Sequence, residues 1–267
     1  GQIGGDKYAS IIRKIRQEDK YKAIVLRINS GGGSILASEI IWREVQLCKE
    51  KGIPLIASMG DVAASGGYYI ACPADTILAQ PNTITGSIGV FGMIPSLQKM
   101  FDEKMGIQFD SVKTGPFAHG ISVSFEIGEE EGKIIQKSVD DFYDLFLTRV
   151  AEGRDMTKGA VHDVAQGRVW TGTKASQIGL VDVLGDLDDA IAIAAHKAGL
   201  TDYRIAEFPK TKEPFQQILD DILGKDDHVK ARLEKELENH FPQYKYIKYL
   251  KELKGAQARI PFVLENF

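Results

Sequence analysis

The sequence predicts an α/β fold in which parallel strands are joined by helical crossovers. Short runs rich in apolar and β-branched residues occupy positions 23–28, 55–59 and 76–79, and each is short enough to be a buried strand. Helix-like segments at 36–51 and 68–72 follow the first two runs. A glycine-rich turn separates strand from helix in both cases. Repeated strand–turn–helix units are typical of parallel sheets.

The remaining elements follow from the same periodicities. Apolar residues recur at helical spacing over 6–17, 129–152 and 187–199, and the second of these segments predicts a long amphipathic helix. Two further strands are predicted at 107–114 and 203–208.

The composition changes near residue 210, which predicts two domains. Residues 1–209 form the α/β domain, and 210–267 form a helical extension packed on it, ending in a short strand at 260–267. Because the chain starts at Gly1 and not at methionine, we expect a processed form or a fragment of a longer protein.

Composition excludes several classes of protein. Of the 267 residues, 43% are apolar and 26% are charged, which excludes a disordered chain. The net charge of −4 disfavours nucleic acid as the main partner. No uncharged apolar stretch approaches the roughly 18 residues of a transmembrane helix. Cys48 and Cys72 have apolar neighbours, which favours two buried thiols over a disulfide. No cluster at ligand spacing predicts a metal site, and the chemistry considered below needs no cofactor.

The first glycine turn, at 29–33 (NSGGG), follows a predicted strand and precedes a helix. Glycine turns and helix N-termini present unpaired backbone N–H groups that suit a negative charge. The turn lacks the Lys-Ser/Thr of a P-loop and the spacing of a dinucleotide fingerprint, so a nucleotide site is disfavoured. An oxyanion or phosphate cradle and a purely structural turn both remain open.

The second glycine turn contains Ser65, between Ala64 and Gly66. A serine on a tight strand-to-helix turn projects its hydroxyl into a cleft, and the next N–H then lies near a developing oxyanion. Many serines in such turns are only structural. The presence of the first turn favours chemistry here, because donors from two adjacent strand ends can form one oxyanion hole.

A nucleophilic serine needs a base. His119 lies in a loop, and the other histidines lie on charged helical segments where solvated side chains are expected: His162, His196, His228 and His240. A lysine is the other route, provided that burial lowers its pKa toward neutrality. Lys113 is the nearest candidate by pattern.

These residues resemble the signal peptide peptidase A (protease IV) family. Five ordered signatures spread over about residues 1–195 carry the resemblance: 25–34 (VLRINSGGGS) with 37–39 (ASE), 59–69 (MGDVAASGGYY), 85–90 (TGSIGV), 167–172 (GRVWTG), and 179–182 (GLVD) with 184–185 (LG). Gly31 stands where the family has proline, which loosens the turn without removing a donor.

The resemblance implies a Clp-protease/crotonase-like fold of stacked parallel strands wrapped by helices. It also implies a serine–lysine peptidase that degrades cleaved signal peptides. Ser65 takes the nucleophile position, and Ser87 takes that of a second serine that orients the lysine. Gly66 and the Gly32–Gly33 turn take the oxyanion positions.

The main departure of this chain from the family pattern concerns the catalytic base. In short members it is a lysine in the segment matching 111–121, where this chain has Pro116. Long members carry two tandem copies of the fold, with the lysine in the first copy and the serine in the second. The chain resembles the second copy, so we expect its lysine to come from an absent N-terminal half. Lys113 as a local base is the minority alternative.

The resemblance further implies peptide substrates and a homo-oligomer shaped as a ring or bowl. It places the protein in the bacterial cell envelope, at the inner membrane through a segment absent here, with the present chain soluble. Two other functions remain open. A crotonase-like acyl-thioester enzyme would bind acyl-CoA without a covalent serine adduct, and a non-catalytic assembly domain would only scaffold a partner.

Overall fold

A computed structural model describes residues 3–118 and 120–209. The chain divides into two units, Gly1–Ile205 and Ala206–Phe267, and almost all described residues belong to the first. Its α-helices are α1 (Gly5–Gln17), α2 (Ile35–Glu50), α3 (Gly66–Ala71), α4 (Glu129–Arg154), α5 (Lys158–Val164), α6 (Gly172–Gln177) and α7 (Leu187–Lys197). A π-helix spans Met100–Met105. Its strands are β1 (Ile24–Ser30), β2 (Leu55–Ala64), β3 (Thr76–Ala79), β4 (Ile84–Gly86), β5 (Val169–Thr171) and β6 (Val183–Leu184).

The strands form one sheet with the order β5-β4-β2-β3-β6, and β1 also pairs with β2. All pairings are parallel except that of β4 with β5. The predicted α/β class with parallel strands is therefore confirmed. β2 is the central element because it pairs with β1, β3 and β4.

Helices cover both faces of this sheet, which explains why its strands read as continuous apolar runs. Leu55 and Ile77 belong to the larger core cluster, into which α1, α2, α3 and α4 send side chains. Ile56 and Leu78, the next residues along the same strands, pack instead against Ala190 and other residues of α7. Alternating side chains of a strand thus serve two separate apolar layers.

The sequence placed the main helices correctly. The segments predicted at 6–17, 36–51, 129–152 and 187–199 correspond to α1, α2, α4 and α7. Cys48 and Cys72 are buried free thiols, as predicted. No helix within 3–118 or 120–209 is long and apolar enough to cross a membrane.

Two strand predictions are wrong. Residues 107–114 and 203–208 have no strand structure. A strand needs a neighbour in a hydrogen-bonded ladder, and an apolar run by itself does not supply one. Phe109 packs instead in a local aromatic group with Phe101, at 5.0 Å between ring centroids, and Phe125, at 6.3 Å.

The predicted end of the second strand is also wrong. β2 was expected to stop at residue 59, but it continues to Ala64, and α3 begins directly after Ser65. The predicted extension over 210–267, including its terminal strand at 260–267, lies outside the described residues and stays a prediction.

Candidate active site

Ser65 occupies the sharp turn between β2 and α3. Its backbone has φ 52° and ψ −120°, a conformation that L-residues rarely adopt. Hydrogen bonds hold both sides of the residue: its N–H donates to the Gly86 carbonyl at 2.9 Å, and its carbonyl accepts from the Tyr69 N–H at 2.9 Å. Backbone strain that neighbouring structure maintains in this way is typical of functional sites.

The Ser65 side chain is available for chemistry. The residue is half-buried, and its hydroxyl makes no hydrogen bond within residues 3–118 and 120–209. A serine on such a strand-to-helix turn has the arrangement of a nucleophile elbow.

The first glycine turn lies against this serine. A Cβ placed on Gly32 would stand 2.7 Å from Ser65 Cβ and 2.8 Å from Gly66 N, so only glycine fits there. A Cβ on Gly66 would stand 3.3 Å from Gly33 N and 2.6 Å from Ser38 Oγ. The two turns, more than 30 residues apart in sequence, therefore form one continuous surface beside Ser65.

Two unpaired backbone donors flank the serine. The Gly32 N–H donates to Ser30 Oγ at 3.2 Å. The N–H groups of Gly33 and Gly66 have no acceptor in the part of the chain that the structure describes. Of the three glycines singled out in the sequence, Gly33 and Gly66 are thus the ones with N–H groups free to bind a ligand oxygen.

Ser87 lies at the equivalent position on the neighbouring strand. Gly86 pairs with Ala64 in the parallel ladder, so Ser87 and Ser65 are the next residues of their respective chains. Ser87 also has a positive φ, 48°, and its N–H donates to the Arg168 carbonyl at 2.7 Å. Its hydroxyl makes no hydrogen bond among the described residues.

Lys113 lies in a different place. Its residue is exposed and lines a cavity of about 420 Å³ together with Pro116, Phe117 and Phe125. No residue of the two glycine turns lines that cavity. Lys113 makes no hydrogen bond with Ser65 or Ser87.

The histidines likewise provide no base in the described region. His162 Nδ1 is 3.0 Å from the Tyr143 hydroxyl, and its Nε2 is 2.8 Å from Gln166 Nε2. His119 lies outside the described residues, as do His228 and His240. Across 3–118 and 120–209, no lysine or histidine nitrogen hydrogen-bonds either serine hydroxyl.

A charged network that the sequence analysis did not identify braces the helices behind the site. Glu39 on α2 accepts hydrogen bonds from the Tyr69 hydroxyl on α3 and, at 2.6 Å, from Arg149 Nη2 on α4. Burial, followed by the hydrogen bond to Glu39, raises the pKa of Tyr69 far above its usual value, so this phenol remains a donor. Arg149 also stacks on Trp42, at 3.7 Å from the ring centroid. Nothing in the local pattern around these residues signals contacts over 30 and 110 positions.

The fold and this site define an α/β protein with a strained serine beside paired backbone donors, which is an arrangement found in acyl-transfer enzymes. The profile of peptidase family S49 matches residues 48–201, more than half of the chain. The chain therefore belongs to peptidase family S49.

Individual relatives agree with this assignment. Protease 4 of Salmonella typhi is 41% identical over 242 residues, which cover 91% of this chain and 38% of that protein. The chloroplastic serine protease SPPA of Arabidopsis thaliana is 44% identical over 190 residues, which cover 71% of this chain and 28% of that protein. The putative protease slr0021 of Synechocystis is 39% identical over 202 residues, which cover 75% of this chain and 72% of that protein. The chain thus spans well under half the length of the first two relatives.

Proposed function

We propose that this chain is the nucleophile-bearing half of a serine endopeptidase with a Clp-protease/crotonase-like fold. The observation that carries the proposal is the Ser65 hydroxyl on a strained turn, next to the N–H groups of Gly33 and Gly66, all three without a hydrogen-bond partner among the described residues. Membership of family S49 and the similarity to Protease 4 support peptide hydrolysis as the reaction.

In this mechanism Ser65 Oγ attacks the carbonyl carbon of a peptide bond and gives its proton to a neutral lysine amine. The carbonyl oxygen becomes an oxyanion, which accepts hydrogen bonds from the Gly66 and Gly33 N–H groups. The lysine then returns the proton to the departing amine, leaving an acyl ester on Ser65. Water, deprotonated by the same lysine, hydrolyses the ester and regenerates the serine. Ser87 supplies a hydroxyl that orients the amine.

We propose that the lysine comes from an N-terminal half outside these 267 residues. The resemblance implies that Pro116 stands where short family members have their lysine, and Lys113 lines a separate cavity. The greater length of Protease 4 leaves room for a second copy of the fold. A lysine at an interface between two halves is desolvated only on assembly, which lowers its pKa only there. This coupling restricts catalysis to the assembled protein.

The proposed substrates are apolar peptides such as cleaved signal peptides, bound in extended form. Leu36 follows the first glycine turn and is 68% exposed, and it offers an apolar contact beside the site. Burying apolar substrate side chains contributes about 25 cal/mol per Å². We further propose a ring- or bowl-shaped homo-oligomer in the bacterial cell envelope, held at the inner membrane by a segment outside this chain.

The test compares this chain alone with the complete polypeptide, meaning the chain joined to the proposed N-terminal half. Each is treated with a fluorophosphonate probe and with a fluorogenic apolar peptide, as wild type, Ser65→Ala and Lys113→Ala. We expect labelling at Ser65 and peptide cleavage only in the complete polypeptide, unaffected by Lys113→Ala.

Other outcomes identify the alternatives. Strong activity of the chain alone that is lost in Lys113→Ala would make that lysine the base. Turnover of acyl-CoA independent of Ser65 would indicate the acyl-thioester enzyme. If no preparation is labelled or turns over either substrate, the remaining interpretation is a non-catalytic assembly domain.

A further inference from the structure

An irregularity in β2 lies just before the nucleophile turn. Along the β1–β2 ladder, Ile28 pairs with Met59, but Ser30 pairs with Ala63. β1 therefore advances by two residues while β2 advances by four, so β2 contains two additional residues at this point. Such bulges break ladder hydrogen bonds and leave backbone groups in need of other partners.

Three side chains from outside β2 supply those partners. Arg27 Nη1 donates to the Met59 carbonyl at 2.8 Å. Thr83 Oγ1 donates to the Gly60 carbonyl at 2.8 Å, and Thr83 is almost completely buried. Asn29 Oδ1 accepts from the Val62 N–H at 3.1 Å. The backbone from Met59 to Val62 is thus held by side chains that belong to β1 and to the turn before β4.

The fit between Asn29 and Gly60 is close. A Cβ on Gly60 would stand 2.9 Å from Asn29 Cγ and 3.1 Å from its Oδ1. A Cβ on residue 60 would therefore force the Asn29 side chain to move, so the glycine leaves open the space that Asn29 occupies. This explains a glycine in the middle of a central strand, where it otherwise weakens the strand.

The bulge determines where Ser65 stands relative to the first glycine turn. Two strand residues correspond to about 7 Å of strand length. If β2 kept these residues but ran in regular register with β1, Ser65 would leave the sheet about that distance farther along, beyond the glycine that it now contacts. An oxyanion hole needs both donors about 2.7–3.1 Å from one oxygen, so this shift would separate the Gly33 and Gly66 N–H groups.

We infer that Asn29 and Thr83, assisted by Arg27, are positioning residues that set the register of β2 and thereby assemble the oxyanion hole. The inference rests on the proposed function, because it assigns a purpose to the geometry of that same site. We assign none of the three residues a contact with the substrate. They act through the backbone of residues 59–62, which leads directly to Ser65.

The first experiment alters Thr83 in the complete polypeptide. Thr83→Val keeps the shape but removes the hydroxyl, which donates to the Gly60 carbonyl and accepts from the Gln80 N–H at 3.1 Å, and Thr83→Ser restores it. Thr76→Val is the matched control, because Thr76 is also buried and bonds a backbone carbonyl, that of Asp75, at 2.7 Å. We expect Thr83→Val to lower kcat for the fluorogenic peptide by about 10- to 100-fold with KM unchanged, as an ångström-scale misplacement does. Thr83→Ser and Thr76→Val should stay within about twofold of wild type.

A second readout separates positioning from general damage. Binding of a peptide aldehyde, which forms an oxyanion on Ser65, should weaken in Thr83→Val by the same factor as kcat, while binding of the cleaved product peptide stays constant. A change in KM and product binding with constant kcat would overturn the inference. So would equal losses of kcat in Thr83→Val and Thr76→Val.

The second experiment uses the exposed Asn29, whose replacement leaves the core intact. In Asn29→Ala the Val62 amide loses its acceptor, so its hydrogen exchange should accelerate and kcat should fall. Asn29→Asp retains Oδ1 and should preserve both. Unchanged Val62 exchange and kcat in Asn29→Ala would contradict the inference. Failure of wild type to label at Ser65 would instead contradict the proposed function, so the two failures are distinguishable.

Discussion

Ser65 and Ser87 occupy equivalent positions at the ends of two adjacent parallel strands. Each follows a residue of the pair Ala64–Gly86, and their φ values are 52° and 48°. The Gly86 carbonyl accepts the Ser65 N–H at 2.9 Å, so the backbone of one turn holds the other. Two strained serines side by side are costly for a purely structural turn, which supports a chemical role for the pair.

The contact between Gly32 and Ser65 leads to the first prediction. Gly32→Ala places a Cβ 2.7 Å from Ser65 Cβ at a φ of +104°, so either Ser65 or its neighbour must move. We expect the rate of fluorophosphonate labelling of the complete polypeptide to fall by about 10²–10³, as on loss of an oxyanion donor. Gly31→Ala is the control, because nothing lies within 4 Å of its Cβ position. Equal labelling of both variants would contradict the proposed oxyanion hole.

The second prediction concerns Ser87. Ser87→Ala removes a hydroxyl that we propose orients the lysine amine, without removing the nucleophile. We expect kcat for the peptide to fall by roughly 10²-fold while KM stays constant. Ser10→Ala, at an exposed position of α1, should behave as wild type. A constant kcat in Ser87→Ala would remove this residue from the mechanism.

The third prediction concerns the network behind the site. Glu39→Ala removes the acceptor of the buried Tyr69 hydroxyl and one of the two carboxylates that Arg149 bonds, leaving it only Glu152. We expect the free energy of unfolding in urea to fall by about 1–3 kcal/mol. In the control Glu50→Ala, the lost partner is Arg43, and the two side chains are 59% and 56% exposed. That change should cost about 0–1 kcal/mol, and an equally small cost of Glu39→Ala would show that the network is not stabilising.

The fourth prediction concerns the thiols. Burial raises the pKa of Cys48 to about 11 and that of Cys72 still further, so neither thiol ionises near neutral pH. We expect no reaction of the native chain with a disulfide reagent at pH 8, and reaction of both cysteines in guanidinium chloride. Rapid modification of the native chain would show that one of the thiols is accessible.

The raised pKa of Cys48 also predicts that the stability of the fold depends on pH. In the unfolded chain Cys48 ionises around its ordinary pKa of 9.0, whereas in the folded chain it holds its proton to about pH 11. The unfolded state therefore binds fewer protons between these values, and the free energy of unfolding falls as the pH rises from 9 to 11. Urea titrations across this range measure the slope, which should be smaller in Cys48→Ala. An identical slope in that variant would assign the effect to other groups.

The local sequence pattern predicted those elements whose own residues specify their secondary structure. The helical spacing in α1, α2, α4 and α7 was sufficient to predict them, because an amphipathic stripe specifies both the helix and its buried face. The apolar runs at 23–28 and 76–79 also indicated β1 and β3, and both of these strands pair with β2 in the folded sheet. β4 was missed, since its three residues carry no period of their own and depend on pairing with β2 and β5.

The sequence by itself determined the α/β class, the two glycine turns and Ser65 as the candidate nucleophile. The resemblance to the family added Ser87 and the missing lysine. Tertiary structure decided which donors are unpaired, that Gly32 touches Ser65, and that Lys113 lines another cavity. The physical reason is that these facts depend on strand register. Hydrogen bonds such as those of Asn29 and Thr83 to β2, 33 and 23 residues away, accompany that register, and no local pattern encodes them.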